Sequence, residues 1–221
     1  RCVKGNTMYQ SYSLDPNMAR QADEKSGRIE ETGAFTGRIK YAIATKSHGG
    51  AEGIELHFES SDRRDARVTV WTYKKDGSVN DSGMRLVNAI MTCVMTKQLT
   101  PTEGNADVYD FATSSRVSKR VTLFPELQKP VGIVLQLAPE EYKKNGEIKV
   151  ANRLEIYAAY NSQTGMTASE ILTKATAAEK LQHMLSTVKD KPLKKYKPKA
   201  GDAASGAAAS HADEFEDDIP F

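Results

Sequence analysis

Strict alternation of apolar and polar residues opens the ordered part of the chain. From Phe35 onward Ile39, Tyr41 and Ile43 alternate with Arg38, Lys40 and Ala42, the period of a strand with one buried face. The stretch 47–53 (SHGGAEG) reads as a turn, and Ile54, Leu56 and Phe58 then alternate with Glu55, His57 and Glu59, so the two strands form a hairpin. A third strand over 67–73 sets Val68, Val70 and Thr72 on one face and Arg67, Thr69, Trp71 and Tyr73 on the other. After the turn 74–83, with Ser82 as N-cap, the period changes: Leu86, Val87, Ile90, Met91, Val94 and Met95 recur at helical spacing and predict a helix over 83–99. Residues 100–130 read as a long irregular segment with scattered apolar anchors. A fourth strand is expected over 131–138, a charged loop over 139–147 and a fifth strand over 148–160. An apolar stripe from Ile171 to Val188 predicts a helix over 167–188 that packs on the barrel or on another subunit.

Three strands, a helix and two further strands is the element order of a five-stranded OB-type Greek-key barrel, which binds oligonucleotides on its second and third strands and through the loops after strands one and four. An α+β domain of another kind gives the same order. The expected fold is therefore mainly β with some α: an OB-fold-like barrel with a helix between strands three and four, a C-terminal helix and a disordered acidic tail. The divisions are an N-terminal extension (1–33) with local helix near 16–25, the barrel and following helix (34–188), a basic then small-residue linker (189–212), and an acidic tip (213–221).

Hydrophobic residues at 39% and charged residues at 27% fit a folded domain with accessory segments. With no apolar run of membrane-spanning length and no apolar leader, the expectation is a cytoplasmic protein. The two cysteines, Cys2 and Cys93, and four scattered histidines have no metal-ligand spacing, so no metal or other cofactor is expected. Charge changes the picture more. Residues 201–221 carry six acids and no Lys or Arg, which leaves 31 basic and 23 acidic residues in the body, a net +8. A basic body with an acidic tail is a pattern of nucleic-acid-binding proteins.

The chain ends DEFEDDIPF. Phe221 can fill an apolar pocket on a partner, worth about 1.5–3 kcal/mol, while basic side chains clamp the terminal carboxylate. Asp217, Asp218, Ile219, Pro220 and Phe221 resemble the C-terminal tip of bacterial single-stranded-DNA-binding proteins. The stretches 35–58 (FTGRIKYAIATKSHGGAEGIELHF) and 153–172 (RLEIYAAYNSQTGMTASEIL) resemble the single-stranded-DNA-binding proteins of tailed bacteriophages. The resemblance implies sequence-independent binding and protection of single-stranded DNA in phage replication, recombination and repair, in the host cytoplasm, with enzymes recruited through the tip.

The DNA contacts follow from chemistry, since a single strand needs cations for its phosphates and aromatic faces for its bases. The outward face of the third strand offers Arg67, Trp71 and Tyr73, continued by Lys74 and Lys75. Arg38 and Lys40 come from the first strand, Lys46 from the first turn, and Lys143 and Lys144 from the loop after strand four. The opposite orientation, with Trp71 in the core, inverts that strand. No nucleophile or paired carboxylate forms a catalytic motif, so a non-enzymatic role is expected; the alternative is an adaptor that uses the tip to compete for partners without binding DNA.

Overall fold

β-Branched and aromatic residues in alternation build one sheet, and a single helix covers its inner face. The computed structural model describes residues 13–16, 27–110 and 115–197. Its elements are β1 (Gly27–Arg28), β2 (Gly33–Lys46), β3 (Glu52–Ser60), β4 (Arg64–Tyr73), α1 (Asp81–Cys93), β5 (Thr102–Asp110), β6 (Ser115–Leu123), a 3-10 turn (Pro125–Leu127), β7 (Pro130–Lys144), β8 (Glu147–Tyr160), α2 (Ala168–Leu172) and α3 (Lys180–Thr187). The protein is mainly β. Its strands form a strongly curled open sheet, a half-barrel, in the order β1-β4-β3-β2-β6-β5, with β7 paired to β2 and β8 to β7.

The inner face carries the core: Ile39 and Ala42 of β2, Leu56 and Phe58 of β3, Val68 and Val70 of β4, and Ile133 and Leu135 of β7. Val87, Ile90 and Cys93 of α1, on one side of the helix, close over them. As far as Trp71 the third predicted strand faces as the sequence indicates, with Val68 and Val70 buried and Arg67 exposed; a bulge at Thr72 then pairs Tyr73 with Glu52 and turns it to the side that α1 covers, not to the face of Trp71.

The first predicted strand does not face as the sequence indicates. Its register against β3 shifts between Ile39 and Tyr41, a β-bulge that makes Lys40 the extra residue. Ile39 and Ala42 consequently point inward, whereas Tyr41 and Ile43 point outward and join Ala106, Val108, Val121 and Leu123 in a second, smaller cluster. The bulge lets β2 serve two partners on one edge. Residues 33–38 pair with β7, and Ile43 pairs with Leu123 of β6.

Four further expectations are corrected. Residues 100–130 are not irregular: Thr102–Asp110 and Ser115–Leu123 form an antiparallel hairpin. The segment 139–147 is not a charged loop but the continuation of β7 into β8 through Asn145-Gly146, both at positive φ (54° and 84°), as a tight two-residue hairpin turn requires. Helix α1 starts after Asn80 rather than Ser82 and stops at Cys93, because Met95 turns left-handed (φ 54°) while Thr96 N–H donates to the Met91 carbonyl, a Schellman-type ending. The helix expected over 167–188 is two short ones, interrupted after Lys174 (φ 52°).

Residues 189–194 lie along the edge of β7 that β2 leaves open. Lys191 N–H donates to the Leu137 carbonyl and Lys194 N–H to that of Pro139. Beyond Pro16, the helix expected over 16–25 lies outside the described residues, as do the segment 200–212 and the tip 213–221. No helix among the described residues is long and apolar enough to cross a membrane.

Candidate nucleic-acid interface

Because β3 and β4 bury every second side chain, the alternate ones share the outward face in register: Gly53 beside Trp71, Glu55 beside Thr69, and His57 beside Arg67. Gly53 makes room for the Trp71 ring. A Cβ there would sit 3.0 Å from Cε3 of Trp71 and 2.5 Å from the Val70 carbonyl oxygen, so only glycine fits. The first turn of α1 packs against the backbone of the same residue, since a Cβ on Gly83 would stand 1.7 Å from the Trp71 carbonyl oxygen. Trp71 is half-buried, and Tyr73, 39% exposed, leaves the row because a bulge at Thr72 pairs it with Glu52. Gly53 thus makes room for the indole and Gly83 for the backbone of the same residue.

The cations are placed unevenly. Lys46 leaves the end of β2 and the β2–β3 turn comes near the backbone of Lys75, but Lys46 and Tyr73 both register with Glu52 and line a cleft with Val87 and Met91 on the side that α1 covers, so the structure does not bring them onto the face of Trp71. Arg67, Arg38 and Lys40 lie toward the other end. Lys143 and Lys144 are exposed at the tip of the β7–β8 hairpin, a separate arm.

Carboxylates of β3 hold three of these cations. Lys40 Nζ lies 2.6 Å from Glu59, Lys46 Nζ 3.1 Å from Glu52, and Arg67 Nη2 2.6 Å from Oε2 of Glu55. Glu55 is the centre of the arrangement, because its other oxygen shares a 2.6 Å hydrogen bond with Nε2 of His57. Burial by itself raises the Glu55 pKa, but the bonds from His57 and Arg67 and the charge of Arg67 outweigh it and hold the carboxyl below its ordinary value. A phosphate arriving at Arg67 therefore competes with an ionised carboxylate already in place.

Sequence reading missed two contributors. Tyr41 stacks edge-on against His57, with ring centroids 6.0 Å apart at 83°, and so adds aromatic surface next to Arg67. The bulge at Lys40 hid it, because unbroken alternation puts Tyr41 in the core. The β5–β6 hairpin, read as irregular, packs its apolar side on Tyr41 and Ile43 and walls that margin of the face; Lys119 alternates onto the same side as Val121.

Among the described residues, no group of three or more His, Cys, Asp or Glu side chains is placed to hold a metal ion. Cys93 is a free, buried thiol whose pKa burial pushes up to about 11. The tip residues Asp217, Asp218, Ile219, Pro220 and Phe221 lie outside the described residues. No protein-family model matches this chain, and no curated protein sequence is significantly similar to it.

Proposed function

We propose that this protein is a phage-type single-stranded-DNA-binding protein of OB architecture. It binds DNA without sequence preference across the outward face of β3 and β4, and the tip 213–221 recruits replication, recombination and repair proteins in the bacterial cytoplasm. The strand order supports the OB assignment: β2, β3 and β4 form a meander, α1 follows, β7 returns to β2 and β8 joins β7, with β5–β6 as an added hairpin. The reading assigns no catalytic step and no cofactor.

One observation carries it. A lone, half-buried tryptophan beside a glycine on the outward face, with Arg67 on the same strand face, is a platform on which an unpaired base stacks for about 1–3 kcal/mol. Titration of labelled oligo-dT at several salt concentrations tests it. Binding should quench Trp71 fluorescence, and the logarithm of affinity should fall with that of salt by about 0.7 per phosphate neutralised. Trp71→Ala should weaken binding by the same ~1–3 kcal/mol without altering the salt slope. Preference for duplex DNA, or no quenching, would overturn the proposal.

A second reading draws on the carboxylates. With Glu55 and Glu59 engaging Arg67 and Lys40, the face is less basic than the sequence implies. That favours an adaptor that competes for partners of the host protein through its tip. It expects tip-dependent partner capture with no oligonucleotide binding at any salt concentration.

A further inference from the structure

We infer that the outer edge of β8 is a homodimer seam, along which a second copy of the chain adds its own β8 in antiparallel fashion with Asn152 of both copies on the two-fold axis. Among the described residues the 147–159 part of β8 pairs with β7 alone, whereas β7 has its other edge covered by β2 and then by 189–194. The β7–β8 arm is two-faced. Ile156 and Leu154 pack against the main core, and the same face runs on to Val150 and Ile148, which are 55% and 60% exposed. The opposite face is polar, with Arg153 and Lys194 on Glu140 and Lys191 on Glu155. An unpaired edge beside exposed aliphatic side chains invites strand addition.

The edge sequence itself points to a second copy as the occupant. In an antiparallel pair centred on Asn152, Lys149 lies opposite Glu155, Val150 opposite Leu154 and Ile148 opposite Ile156. A two-fold axis normal to the sheet keeps each residue on its own face, so apolar meets apolar and charge meets countercharge. Moving the centre to Ala151 sets Lys149 against Arg153 and Glu147 against Glu155. Centring on Val150 pairs Glu147 with Arg153 but sets Ile148 against Asn152, so charge and apolar matching together select Asn152.

The full chain should sediment as a dimer with no DNA present, so the outcome is independent of the DNA-binding proposal. Lys149→Glu places like charges opposite each other twice per dimer and should weaken association about tenfold. Glu155→Lys should do the same, and the double exchange should recover most of the loss, which a folding defect would not. In a Cys2→Ser background, Asn152→Cys should form an intermolecular disulfide on mild oxidation, because directly opposed residues have Cα atoms about 4.5–5.5 Å apart. Val150→Cys, opposed to Leu154, should not, and the buried Cys93 leaves the readout clear. A monomer at every concentration, a dimer indifferent to Lys149→Glu, or equal cross-linking at 150 and 152 would overturn the inference.

Discussion

Replacing Glu170 by Gln should unfasten the C-terminal helices. Glu170 is a buried carboxylate that accepts four hydrogen bonds: from the backbone N–H and the hydroxyl of Thr167 at 2.8 and 2.7 Å, and from the N–H groups of Glu179 and Lys180 at 2.8 Å each. One side chain thus closes a capping box on α2 and supplies the acceptor for the start of α3. A glutamine keeps one acceptor oxygen and turns its NH2 toward two donors. Hydrogen bonds to a charged group are worth about 1.5–3 kcal/mol each, so two weakened and two opposed contacts should cost about 3 kcal/mol after local relaxation. For a chain of this size that is a fall in Tm of about 6–12 °C. The pH dependence follows as well. Burial raises the Glu170 pKa, but its hydrogen bonds outweigh this and lower it from 4.5 to about 2. A depressed folded-state pKa gives stability that is complete above the unfolded value and is lost as pH falls between about 4.5 and 2. Thermal melts of wild type and Glu170→Gln from pH 7 to 2.5 should therefore converge at the acid end. A variant within about 0.5 kcal/mol of wild type at pH 7, or two parallel acid limbs, would refute this account.

Two further outcomes are open to direct measurement. Glu55→Gln releases Arg67 from its carboxylate and, on the proposed function, should tighten oligo-dT binding by about 1 kcal/mol, roughly fivefold, at low salt; unchanged or weaker binding in the same titration would count against an Arg67–phosphate contact. Gly132→Ala should destabilise the fold by about 2–3 kcal/mol in denaturant melts, because its Cβ would stand 2.0 Å from Cε2 of the buried Tyr160 ring, whose hydroxyl is fixed 3.0 Å from Thr36 Oγ1; a loss below about 0.5 kcal/mol would mean that the ring moves freely.

How far the sequence could be read depended on whether each strand buried one face without interruption. β4 does as far as Trp71, so Val68 and Val70 marked its orientation and placed Trp71 outside, whereas the bulge at Thr72 turns Tyr73 to the other side. β2 inserts one residue, and period two cannot reveal where a bulge lies; Ile39 and Ile43 looked equivalent and belong to different clusters. Among its described side chains the β5–β6 hairpin buries only Ala106 and Leu123, too few to show a period. The Asn145-Gly146 turn was legible, since that dipeptide is a strong hairpin signal, but the charges of 140–149 masked it. Candidate cations were identifiable by type, whereas their carboxylate partners on the adjacent strand depend on cross-strand register, which one strand read alone does not contain.

The fork in β2 has a dynamic consequence. The β5–β6 hairpin is tied to it by one ladder pair, Ile43 with Leu123, and by a cluster of three buried residues, whereas β7 is zipped to it from Gly33 to Arg38. An element so lightly fastened opens by local unfolding at a free-energy cost well below that of the whole domain. Amide protons of 102–110 and 115–123 should exchange with solvent long before those of β3 and β4, and each excursion uncovers Tyr41, widening the stacking surface for as long as the hairpin stays away.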